Sequence, residues 1–405
     1  MPTRLRTPRS SSRGSLFRDM RHRLGHLALA CIVVVVLGIP APSAFAASVA
    51  ITGPEQTVYD WSQMACFPTQ YPDGAARAFR DAQGRIQLIL STPDSTRMIG
   101  ADFNTLVRDC TVIRGSPNDP FAGNYNNAQW IMATQTSNGN DVYGLVHNEY
   151  HVDTNEALCP SGKGVDCQHA SVSLVTSNNG GASYTNTTPP SQYVAGVPYR
   201  YWPNVGRHGV AAPSNIIQKD GFYYAMLLVP RGTREQRPGT CLMRTRDISD
   251  PGSWRAWDGA GFTVRFINPY LEPGVSPEQH VCHPISFDEI ASIERSLVFD
   301  TYLNKFFVIG VESKFDPQRQ TFVRGFYYSF SDDLINWSDR QLLVELSADC
   351  GFTIAYPSVI DHASTDRNFG TAGQHAYLYY TRFNFTNCQL SNDRDLVRVP
   401  IDFSP

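Results

Sequence analysis

Acid–base chemistry needs carboxyl groups partly withdrawn from bulk water and placed within reach of one another. Asp73, Arg77, Arg80 and Asp81 fall within nine residues, just ahead of the apolar stretch 85–91. Charges this dense beside a core strand are costly to desolvate unless they face a wet cleft, so the stretch is read as the mouth of a cavity. Glu149 follows the apolar run 142–146 and stands between His147 and Tyr150. Burial among such neighbours raises a carboxyl pKa, which suits a proton donor. Asp73 is the matching candidate for base or nucleophile, and Glu312, ending a later apolar run, is the reserve. Each has a plainer reading. Pro72-Asp73-Gly74 is a common turn in which aspartate bonds the backbone, and a strand-end glutamate often pairs with an arginine. Asp119, before Pro120, fits a loop turn better than a third acid.

These groups must be positioned by strand pairs. Apolar runs separated by turn residues recur at 76–80 with 85–91, 130–136 with 142–150, 214–218 with 222–230, 295–300 with 306–312 and 357–361 with 375–382. Similar outer turns follow at 177–184, 246–254 and 331–337, with a looser counterpart at 97–106 and a closing segment at 395–401. Five units at a spacing of about 65 residues imply an all-β, five-bladed β-propeller occupying residues 47–405 as one domain. A stacked pair of β-sandwiches is the alternative, but it leaves the repeated hairpin-plus-turn unit unexplained. Only residues 287–295 resemble a helix.

In a hairpin the start of the first strand and the end of the second share an edge. Residues entering each inner strand and those leaving the next therefore line one face of the ring. This collects Asp73, Glu149 and Glu312 with the expected substrate contacts Arg77, Asn127, Trp130, His147, Asn215, His283 and Arg382. Ser214, Arg231 and Tyr356 belong to the same edge. Trp130 and Trp202 could stack on flat ligands, although propeller tryptophans also serve as core. His147, His151 and His283 lack helical metal-ligand spacing, so no cofactor is implied, and nothing supports a calcium ion on the axis.

Residues 1–46 read as an export signal: seven arginines, a 13-residue apolar run at 27–39 and the small-residue signal Ala44-Phe45-Ala46. An uncleaved anchor is the alternative, but the run is short beside the roughly 20 residues of a spanning helix. Cleavage leaves 27 basic against 36 acidic residues. That balance disfavours nucleic acid or an anionic membrane as partner. A secreted or periplasmic monomer is expected. The eight remaining cysteines fit disulfides in an oxidising compartment. Cys159–Cys167 has the spacing of a loop clip, and the other expected pairs are Cys66–Cys110, Cys241–Cys282 and Cys350–Cys388.

With these units in view, the chain resembles five-bladed β-propeller glycoside hydrolases of the arabinanase/β-xylosidase type. It is also similar to sialidases in its aspartate-box-like turn at 177–184. The resemblance implies a carbohydrate site at one end of the axis, with two or three carboxylates acting on a glycosidic bond in a plant or microbial polysaccharide. Arabinose- or xylose-containing glycans are the first class it suggests. Two other readings stay open: a glycan-binding, lectin-like propeller without turnover, and a sialidase-like enzyme with a tyrosine nucleophile beside Arg77, Arg231 and Arg382.

Overall fold

The computed structural model describes residues 47–151, 158–346 and 350–405; the expected leader at 1–46 lies outside these. Five antiparallel sheets follow one another along the chain, as the repeats predict. Blade I runs from the axis outward through Arg77–Arg80, Ile86–Leu90, Asp94–Gly100 and Val107–Gly115. Blade II uses Ala128–Gln135, Val142–Tyr150, His169–Ser177 and Tyr193–Ala195. Blade III has five strands, Ile217–Lys219, Phe222–Val229, Gly239–Thr245, Arg255–Trp257 and Phe262–Val264. Blade IV uses Ser296–Asp300, Lys305–Asp316, Thr321–Ser331 and Gln341–Glu345.

Blade V begins with Phe352–Ile360, His375–Thr386 and Gln389–Ser404 and is finished by the N-terminal strand Ser48–Ile51. Ser48 pairs with Ser404 and Ile51 with Ile401, so the two ends of the described propeller seal the ring in one sheet. The repeats did not reveal this closure, because four residues carry too little pattern to stand out.

Blades are covered on both faces, which explains why their strands read as unbroken apolar runs rather than alternating ones. Ala225 and Leu227 pack toward blade II, while the intervening Tyr224 and Met226 pack toward blade IV. Phe307 and Ile309 face blade V, whereas Phe306 and Val308 face blade III. Leu88 and Leu90 meet blade V, and Ile89 meets blade II. Each interface between adjacent blades thus has its own dry cluster.

The three outer turns plug these clusters from the rim. Ser177 Oγ accepts the Asn179 and Gly181 amides, and Ser331 Oγ accepts those of Asp333 and Leu334. The aromatic residue closing each turn, Tyr184, Trp254 or Trp337, is buried. All four expected disulfides are present: Cys66–Cys110, Cys159–Cys167, Cys241–Cys282 and Cys350–Cys388. The expected helix at 287–295 shrinks to Phe287–Ile290, because Ala291 takes a left-handed φ of 50° and ends it.

Candidate active site

Asp73 precedes the innermost strand of blade I, its amide bonded to the Ser91 carbonyl at 2.9 Å. Its carboxylate accepts three donors. Trp130 Nε1 of blade II reaches Oδ2 at 3.2 Å, the Tyr356 hydroxyl of blade V reaches Oδ1 at 3.1 Å, and Arg394 Nη1 also bonds Oδ1. The Arg394 guanidinium is sandwiched between the rings of Tyr71 and Phe383, 4.2 and 4.6 Å from their centroids. Tyr356 sits at a break in strand register with a left-handed φ of 59°, and it precedes a proline, where extended backbone is the rule. Irregularities of this kind re-aim side chains, here toward Asp73.

Glu149 comes from the second strand of blade II. Successive side chains of a strand alternate in direction, so His147, Glu149 and His151 share one face. Trp130 pairs opposite His147 and joins that face. His147 Nε2 lies 2.8 Å from Glu149 Oε1, while His151 Nε2 and Gln168 Nε2 lie 2.5 and 2.6 Å from Oε2. The Ala212 amide donates to His147 Nδ1 at 3.3 Å, which assigns the His147 proton to Nε2 and aims it at the carboxylate.

Asp73 and Glu149 line a single cavity of 340 Å³ at the axial opening, together with Trp130, His147, Arg295 and Tyr356. Their side chains are 19% and 16% exposed, respectively, so both are open to a small molecule in it. Their environments differ. Burial pushes the Asp73 carboxyl above its ordinary range against the pull of Arg394, Tyr356 and Trp130, and the charge on Glu149 adds to the rise. Burial also pushes Glu149 upward, but the electrostatic pull and hydrogen bonds of His147 and His151 outweigh it and hold the group well below the usual carboxylate range. The expectation of a raised Glu149 pKa is therefore overturned: the neighbours that bury it are themselves donors.

Several expected substrate contacts are structural instead. Arg77 is buried beneath the cavity, bonding the Met132 and Ala76 carbonyls at 2.6 and 3.0 Å, Ser358 Oγ at 2.9 Å and the Arg295 carbonyl at 2.5 Å. It ties blades I, II, IV and V across the axis. Asn215 bonds both the amide and the carbonyl of Leu297, clipping blade III to blade IV. Asn127 braces loops through the Asp119 carbonyl and the His151 amide. Glu312 accepts the Ser292 and Ser313 amides and does not line the cavity. His283 lies at the rim of blade III near Gly259, away from the axis. Arg382 is paired with Glu55 and Asp395 within blade V. Arg80 and Asp81 also leave the mouth: Arg80 stacks on Phe369, and Asp81 is a buried turn acceptor. With Arg77 below the floor and Arg231 on the surface bonding the Val205 carbonyl, the three sialidase-like arginines do not meet.

The hairpin rule missed Arg394, Arg295, Gln168 and one buried acid. Glu294 lies two residues before the innermost strand of blade IV, as Asp73 lies four before that of blade I. It is 2% exposed and lies 3.0 Å from Arg295 Nε. Burial pushes its carboxyl up to about 7, opposed by Arg295 and reinforced by Glu312. The missed signal was positional: a carboxylate a few residues ahead of an inner strand occurs in two blades. Among the described residues, no cluster of three or more His, Cys, Asp or Glu is arranged to hold a metal ion.

No family model matches the chain, and no curated protein matches it in sequence. Similar folds are found among solved structures. A GH43_1 enzyme from Xanthomonas citri is 12% identical over 86% of this chain and 90% of its own, with a TM-score of 0.48. An alpha-L-arabinofuranosidase from Lactobacillus brevis is 10% identical over 82% and 91%, with a TM-score of 0.49. An alpha-L-arabinanase from Cellvibrio cellulosa complexed with arabinohexaose is 11% identical over 77% and 86%, with a TM-score of 0.42.

Proposed function

We propose that this cavity hydrolyses a glycosidic bond in a plant or microbial polysaccharide, in a protein exported to an oxidising compartment. The observation that carries the reading is the meeting of Asp73 and Glu149, from different blades, in one cavity whose tryptophan indole bonds Asp73. Hydrolysis requires a carboxylate to activate water, a proton donor for the departing oxygen, and negative charge beside the sugar ring as it becomes cationic.

Asp73 is the base. A raised pKa strengthens it as a proton acceptor, and its three donors fix its aim. Glu149, kept ionised by its imidazoles, stabilises the positive charge developing on the sugar. Glu294, with its pKa near 7, supplies the proton. Glu294 lies beside Arg295, which lines the cavity, so delivery of its proton requires Arg295 to move aside when a glycan enters. The glycosidic C–O bond then breaks as its oxygen takes the Glu294 proton, the water oxygen joins the anomeric carbon, and the water proton passes to Asp73.

The covered position of Glu294 also favours one rival, a glycan-binding propeller that performs no turnover. A reducing-sugar assay of the mature chain over a polysaccharide panel, arabinans and xylans first, separates the two. Release of new reducing ends supports hydrolysis; retention of glycan without release supports the rival.

A further inference from the structure

A second cavity of 530 Å³ opens beside the first, and the His208 side chain forms part of both walls. Its lining joins three aromatic rings, Tyr199, Tyr201 and Trp202, to two guanidinium groups, Arg200 and Arg234. Trp202 is 53% exposed, although an indole is normally withdrawn from water. Flat rings lining a cavity that shares His208 with the first suit the apolar faces of further sugar units.

The arginines add a charge preference. The Arg234 guanidinium lies over the Tyr199 and Trp202 rings, 4.8 and 5.0 Å from their centroids, and Arg200 lies 5.3 Å from the centroid of Tyr270. Stacking occupies the faces of a guanidinium but leaves its N–H edge free for a carboxylate. Among the described residues the acid lining this cavity, Glu272, is paired with Arg265, and Glu235 beside Arg234 accepts the Tyr199 hydroxyl. Arg200 donates to the Pro269 carbonyl at 3.4 Å and, among the described residues, to no carboxylate.

The groove is also held in shape. Arg234 occupies a turn closed by reciprocal 3.0 Å bonds between Thr233 and Gln236, with a left-handed φ of 52°. Buried Gln236 pins that turn to Cys282, which the Cys241–Cys282 disulfide anchors to blade III.

We infer that this groove binds the glycan segment flanking the reacting unit and selects segments bearing a uronate carboxylate. The inference rests on the glycan-processing reading of the first cavity. In a chain whose mature charge is acidic, two arginines without a carboxylate partner among the described residues are a specific counter-charge rather than a general basic surface.

The test is calorimetric titration of the mature Asp73→Asn protein with a xylotetraose bearing one glucuronate branch and with the same probe after reduction of its carboxyl. The acidic probe is expected to bind roughly tenfold tighter at low ionic strength, and the preference fades as salt rises. Arg200→Gln with Arg234→Gln should abolish the preference, bringing the acidic probe's affinity to that of the reduced probe. Trp202→Ala should weaken both probes. Equal affinity for the two probes, a preference that survives the double substitution, or no binding of either overturns the inference. The outcome is separable from the hydrolysis reading. Charge-selective binding without turnover of any glycan removes the hydrolase alone, and turnover without charge selection removes the groove alone.

Discussion

Asp73 and Glu149 owe their opposite pKa displacements to immediate neighbours, and single substitutions change them in predictable directions. The charge on Glu149 raises the Asp73 pKa, whereas the Tyr356 hydroxyl lowers it. Glu149→Gln should therefore move the acid limb of the kcat/KM profile to lower pH, and Tyr356→Phe should move it to higher pH. Shifts in the same direction would show that Asp73 does not set that limb. In the proposed mechanism Glu294 governs the other side. A donor with a pKa of about 7 is lost as pH rises through neutrality, so the alkaline limb should fall there. Glu294→Gln should remove that limb and cost roughly 10²–10⁴-fold on a poor leaving group. Dinitrophenyl glycosides, which need no proton, should be spared. The same group affects stability. Its folded pKa of about 7 lies above the ordinary 4.5, so its contribution is fully present below about 4.5 and is lost as pH rises through 7. Urea midpoints of Glu294→Gln should consequently fall less between pH 5 and pH 8 than those of the parent.

At the level of elements, the blades were readable because their strands are sandwiched and carry apolar side chains on both faces. The outer turns were readable because serine and aspartate bond the backbone in a fixed pattern before a buried aromatic residue. Trp254 closes one such turn and is 1% exposed, so Trp254→Ala should cost about 3–5 kcal/mol in urea denaturation. Side-chain destinations were less readable. The hairpin rule brought Asp73, Trp130, His147 and Glu149 to the opening correctly, but it could not distinguish a residue entering the cavity from one passing beneath it. Arg77 and Asn215 lie on that edge and point into inter-blade contacts. The alternation of His147, Glu149 and His151 along one strand was present in the sequence and does identify one face. It does not say that two imidazoles turn back onto the carboxylate.

For the whole molecule, closure depends on a strand whose sequence alone did not mark it. Val49 is buried among Phe307, Leu378 and Phe403, where blades IV and V meet. Val49→Ala should destabilise the ring by about 1–3 kcal/mol. Deleting residues 47–51 should cost more and broaden the unfolding transition, as an unsealed ring opens from blade V. Arg77 performs the corresponding task at the axis, joining four inner strands under the floor of the cavity. The catalytic proposal thus rests on a ring held at two places, rim and centre, which together keep carboxylates from separate blades within one opening.

The most direct test compares the protein with its Asp73→Asn variant on the same polysaccharide, measuring reducing-end release and glycan affinity side by side. The account predicts release by the parent, a loss of roughly 10²–10⁴-fold in the variant, and affinity that persists in both. Unchanged release after Asp73→Asn, or affinity without release in either protein, would contradict it.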